Sequence, residues 1–108
     1  MNANMYIIAV RWVGPQVFPD RVDSQLSSFG PWFRYNASNW LVSTKQSAIE
    51  LRVALKSALS PEDGFVVLRV DPSDRQGFAP ADLWTWLDTN SPPRNMLAEY
   101  SRQAGVLP

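Results

Sequence analysis

Apolar residues in NMYIIAVRWV (4–13) fall on odd and even positions alike, and the run stops at Gly14-Pro15. β-Branched and aromatic residues without alternation predict a central strand covered on both faces. The period then changes. Val22, Leu26 and Phe29 recur at i, i+4 and i+7, with Pro19 near the start and Gly30 as the stop, which predicts a short helix over 18–30. PWFRYN and NWLVST follow, joined by the turn-prone Asn36-Ala37-Ser38-Asn39, and predict two strands with a tight connection. Ser47 and Glu50 stand at capping-box spacing, each able to satisfy a free amide at a helix start. Beyond them Ala48, Leu51, Leu55, Ala58 and Leu59 mark one helical face, which Ile49 and Val53 widen, while Lys45, Arg52 and Lys56 lie toward its other sides. SPEDG (60–64) breaks that helix, and FVVLRV (65–70) is a dense apolar strand. Pro80 opens a short helix, PADLWTWL, with Leu83, Trp86 and Leu87 on one side. NSPPR interrupts it, and NMLAEYSRQAG (95–105) predicts a final helical turn or two.

The order through Val70 is β-α-β-β-α-β, the split arrangement of a ferredoxin-like α+β domain. It predicts a core over 4–72, a helical C-terminal extension over 73–108 and an antiparallel sheet of strand order 4-1-3-2. Right-handed crossovers place both helices on one sheet face. The other face is open, and what covers it is the functional question. With Tyr6, Ile8, Val10 and Trp12 turned to the helices, Ile7, Ala9 and Arg11 belong to the open face. The expectation for the last strand is that Val66, Leu68 and Val70 face the helices, so that Phe65, Val67 and Arg69 join Ile7, Ala9 and Arg11. Three readings of that surface stand side by side: a subunit interface, a half-solvated face under the C-terminal segment, and a phosphate grip by Arg11 and Arg69.

Composition narrows the chemistry. The 108 residues are enough for one domain, and a 45% hydrophobic content builds a core without disulfides or metals. Ten basic and ten acidic residues cancel, which disfavours strong non-specific binding to nucleic acid. The absence of cysteine and histidine excludes thiol chemistry, imidazole catalysis and ordinary zinc sites. What remains for catalysis is carboxylates, lysine, hydroxyls or a carboxylate-bound magnesium ion.

The apolar run from Met5 to Val10 lacks a basic leader and is followed by Arg11, so it reads poorly as a signal peptide. No stretch approaches the ~20 apolar residues of a membrane helix. The expected location is the cytoplasm, and the sequon Asn36-Ala37-Ser38 reads as coincidence.

The aromatic hairpin holds Trp32, Phe33, Tyr35 and Trp40 beside Arg34. Base stacking on single-stranded nucleic acid uses such residues. Strand alternation, however, sends Trp32 and Arg34 one way and Phe33 and Tyr35 the other, which favours a core role with stacking as the minor reading. Asp71 and Asp74, and Glu62 with Asp63, read as loop acids. Lys45 beside Ser43, Thr44 and Ser47 suggests a Ser–Lys pair, but helix capping accounts for the hydroxyls more simply. No catalytic, metal or cofactor site emerges.

MYIIAV, GPWFRYNASNWLVSTKQSAIELRVAL and DGFVVLRV together resemble the small bacterial proteins labelled SinR-like, over about residues 4–72. Those are similar to the small CRISPR-associated integration subunit and to VapD-type ribonucleases. The shared pattern is a first strand, a hairpin ending Trp40-Leu41-Val42-Ser43-Thr44, a helix, and a strand introduced by Asp63-Gly64-Phe65. The resemblance implies the ferredoxin-like fold and a role in phage–host conflict. Its nuclease members carry an aspartate after the first strand that, in a dimer, helps hold a divalent metal. Here Arg11 stands in that stretch, and a guanidinium repels a metal ion. The next acids, Asp20 and Asp23, lie beyond Pro15.

The function expected is that of a non-catalytic adaptor or interaction protein. It would act as a homodimer built on Ile7, Ala9, Arg11, Phe65, Val67 and Arg69, with an unidentified protein partner. The alternatives are a divalent-metal-dependent nuclease with displaced acidic ligands and a weak nucleic-acid-binding dimer.

Overall fold

The computed structural model describes residues 3–91. They form an α+β unit with a four-stranded antiparallel open sheet and three helices: β1 (Asn4–Arg11), α1 (Pro19–Leu26), β2 (Trp32–Asn36), β3 (Asn39–Thr44), α2 (Ala48–Lys56), β4 (Gly64–Val70) and α3 (Ala81–Asn90). The helical turns expected at 95–105 lie outside the described residues.

The strands are hydrogen-bonded in the order β2-β3-β1-β4, which leaves β2 and β4 as the two edges. β1 is central because it pairs on both sides: Ile8 lies opposite Trp40 of β3 and opposite Val67 of β4. β1 ends at Arg11, two residues earlier than its apolar run, because Gly64 opposite Arg11 is the last partner on β4. The amide of Val13 turns instead to the carboxylate of Asp63, at 3.0 Å.

Each helix has a local cause. α1 opens with a proline inside its first turn, where the missing N–H costs no bond. It stops at Leu26, short of Gly30, and the hydroxyls of Ser27 and Ser28 donate to the carbonyls of Asp23 and Gln25 just there. α2 opens on the capping box: Ser47 Oγ accepts from the Glu50 amide at 3.2 Å, and Glu50 Oε1 accepts from the Ser47 amide at 3.2 Å. α3 follows Pro80 and runs three residues beyond Leu87.

Two apolar clusters sit on opposite sides of the sheet. The larger joins Tyr6, Ile8 and Val10 of β1 and Trp40 and Val42 of β3 to Val22 and Leu26 of α1 and Leu51 and Leu55 of α2. The smaller joins Met5 to Leu83 and Leu87 of α3, with Phe33, Leu41, Val70, Trp84 and Trp86 around them. α1 and α2 therefore share one face. α3 covers one end of the other face. No described helix is long and apolar enough to cross a membrane.

Candidate functional site

The aromatic hairpin is divided by the sheet. Trp32 and Arg34 pair with Val42 and Trp40 on the helix side, whereas Phe33 pairs with Leu41 on the other. Trp40 is fully buried, and its indole Nε1 donates to Asp23 Oδ1 at 2.8 Å. Trp32 Nε1 donates to Ser27 Oγ at 3.2 Å, and Phe33 meets Trp86 with ring centroids 5.9 Å apart. Of the four rings only Tyr35 is mostly in solvent. Arg34 is held by Asp20 and Asp23, each 3.6 Å away. These residues build the core and its rim, and the arrangement offers no shared platform for bases.

The six residues expected on one open face are divided as well. Directly opposed residues of an antiparallel pair project to the same side. Phe65 lies opposite Val10, Val67 opposite Ile8 and Arg69 opposite Tyr6, so these three β4 residues belong to the helix side. Phe65 and Val67 pack against the larger cluster. Leu68 lies opposite Ile7 and Val66 opposite Ala9, so the open face carries Ile7, Ala9, Arg11, Val66 and Leu68. The expected parity of β4 is thereby reversed. The reason is local: FVVLRV is apolar at five of six positions, and its pattern holds no signal for which set turns inward. Arg11 and Arg69 lie on opposite faces and form no joint anion site.

What results is two distinct surfaces. On the open face, Val66 and Leu68 are 52% and 57% exposed, beside the half-buried Ile7 and Ala9. α3 covers Met5, Leu41 and Val70 at one end and leaves this apolar area uncovered. On the helix side, a groove runs between α2 and the edge strand β4. Its wider end, about 390 Å³, is lined by Arg52, Lys56, Leu59, Pro61, Asp63 and Phe65. It continues as a depression of about 180 Å³ lined by Ala48, Ile49, Arg52, Phe65 and Val67. Sequence reasoning missed this groove. The signal was present as Ile49, Arg52 and Lys56 at i, i+3 and i+7, one stripe along the helix.

Two of the four loop acids, Asp63 and Asp71, are engaged as hydrogen-bond acceptors. Asp63 accepts from the amides of Val13 and Ser60, both at 3.0 Å. Asp71 accepts from the amide of Ser73 at 3.0 Å and from its hydroxyl at 2.6 Å. Among the described residues no cluster of three acidic side chains is placed to hold a metal ion. Ser47 serves the capping box and Thr44 Oγ1 accepts from the Gln46 amide at 3.1 Å, which accounts for two of the three hydroxyls around Lys45. Compared with protein-family models, with curated proteins and with solved structures, the chain finds no match.

Proposed function

We propose that this chain is a non-catalytic interaction module that self-associates through its open sheet face, on a ferredoxin-like framework of the SinR-like kind. The observation that carries the reading is the exposure of Val66 and Leu68 beside Ile7 and Ala9, an apolar area on the sheet. Contiguous apolar surface of this sort is costly to leave in water. A second copy is a fitting occupant because the chain's charges cancel, so net repulsion does not oppose pairing. Two-fold pairing buries the same residues twice, and Arg11, exposed at the strand end, stays at the rim. The resemblance to a family with dimeric members points the same way.

The test uses Leu68→Lys. Leu68 is over half exposed in the single chain, so the substitution leaves the larger cluster intact. In a dimer it places two ammonium groups in an apolar contact, where desolvation opposes association. Light scattering coupled to size exclusion gives a dimer mass for wild type and a monomer mass for the variant, with unchanged far-ultraviolet dichroism. Wild type that stays monomeric at high micromolar concentration overturns the reading.

A further inference from the structure

We propose that the groove between α2 and β4 docks an extended acidic segment of a partner protein, which adds to β4 as a further strand. The inference names a partner class for the interaction reading and rests on that reading, though not on self-association, since it uses the opposite side of the sheet.

Three observations converge on it. The first is the edge itself. Sheets protect their edges by shortness, bulges, prolines or a covering element. β2 has such protection: it is five residues long, its pairing is irregular between Arg34 and Asn36, and α3 packs Trp86 against its Phe33. β4 is seven residues long, pairs with β1 without a break and contains no proline. Among the described residues, no backbone group outside β1 bonds the amides and carbonyls of β4, whose outward set is placed to receive an added strand.

The second is the wall. Ile49, 70% exposed, and the stems of Arg52 and Lys56 stand along the groove above the half-buried Phe65 and Val67. An added strand would lay alternate side chains into this channel, ~6.8 Å apart. Arg52 and Lys56 are one helical turn apart, ~6 Å along α2. Successive inward side chains of the strand therefore meet successive cations.

The third is charge. Among the described residues, the ion pairs are those of Arg34 with Asp20 and Asp23 and of Arg75 with Asp88. Arg52, Lys56 and Arg69 carry none, and all three are exposed on or beside the groove. The one acid in its lining, Asp63, already accepts two backbone amides. The groove is thus apolar at its floor and positive along its rim. That complements a strand bearing carboxylates on its inward face, through charge-assisted hydrogen bonds.

The probe is a fluorescein-labelled heptapeptide, Glu-Val-Glu-Ile-Glu-Val-Glu, titrated by anisotropy at low salt. Saturable binding is expected, weakened at least about tenfold by Arg52→Glu or Lys56→Glu, both exposed and so compatible with folding. N-methylation of one alternate set of peptide amides abolishes binding, and methylation of the other set leaves it within about threefold, because only one set faces β4. Backbone amide shifts in the protein concentrate in 64–70. No saturable binding at millimolar peptide, indifference to Arg52→Glu, equal effects of the two methylated sets, or equal binding of the lysine analogue would each overturn the proposal. So would an oligothymidylate that binds with the same dependence on Arg52 and Lys56 while the peptide does not. Repeating the titration on Leu68→Lys separates the two readings, since its mass reports on self-association and its anisotropy on the groove.

Discussion

The indole of Trp40 on β3 is tied to the carboxylate of Asp23 on α1 by a 2.8 Å hydrogen bond that crosses from sheet to helix. Trp40 has no exposure, and a buried indole N–H left without an acceptor costs about 1–3 kcal/mol. Asp23→Ala is therefore expected to destabilise by that amount in urea denaturation. Asp23→Asn, which keeps an acceptor oxygen, costs less. Arg34→Ala, which spares the indole bond and removes the 3.6 Å pairs with Asp20 and Asp23 at the rim, costs about 0–1 kcal/mol. Equal losses for Ala and Asn would show that packing of the Asp23 side chain, and not its oxygen, supports the indole.

A second prediction concerns α2. Leu55 is 1% exposed in the larger cluster, and Leu55→Ala is expected to cost about 2–5 kcal/mol. Ser47→Ala removes an acceptor for the Glu50 amide and costs about 0.5–2 kcal/mol. Chemical denaturation that places Leu55→Ala within error of wild type would contradict the burial of this face.

Gly30 and Gly77 make a matched pair, with φ of 147° and 151°. A Cβ on Gly30 would lie 2.3 Å from the carbonyl oxygen of Ser43, whereas one on Gly77 meets nothing within 4 Å. Alanine at Gly77 meets only the backbone strain, about 1–3 kcal/mol. Gly30→Ala adds a clash with β3 that the backbone must move to relieve. Thermal unfolding should rank Gly30→Ala well below Gly77→Ala, and the reverse ranking would refute the close approach.

Hydrolysis is the contrasting case. Three carboxylates are occupied as acceptors: Asp23 by Trp40, Asp63 by two backbone amides, Asp71 by Ser73. Purified protein is expected to leave labelled DNA and RNA intact with magnesium or manganese. Cleavage that copurifies with the protein and disappears on mutation of Asp20, Asp23, Asp63 or Asp71 would reverse this conclusion. Asp63→Ala is expected instead to loosen the turn before β4, read as faster amide exchange at Val13 and Ser60.

How much of this was legible in the sequence varied with the range of the interaction. The capping box at Ser47 and Glu50 and the hairpin turn at 36–39 are local, and their residues announce them. The Asp23–Trp40 bond spans seventeen positions, and nothing near either residue advertises the other. The parity of β4 was illegible for a different reason. A strand apolar on both sides takes its facing from the register with β1, and no residue of FVVLRV encodes that register. The groove was half legible, since the stripe on α2 is periodic but the edge status of β4 is a property of the whole sheet. The destination of α3 was equally non-local: Leu83, Trp86 and Leu87 mark an apolar side without naming the surface that receives it.

That destination has a kinetic consequence. Among the described residues, the cluster under α3 contains three buried residues, Met5, Leu83 and Leu87, against ten in the cluster under α1 and α2. Detaching α3 therefore forfeits far less burial than unfolding the sheet, which makes it a cooperative unit of low opening free energy. Its amides should exchange with deuterium through a partial opening that leaves those of β1 and α2 protected. Each such opening bares Met5 and Leu41 beside Ile7, so the apolar face of the sheet widens and narrows with the excursions of a single helix.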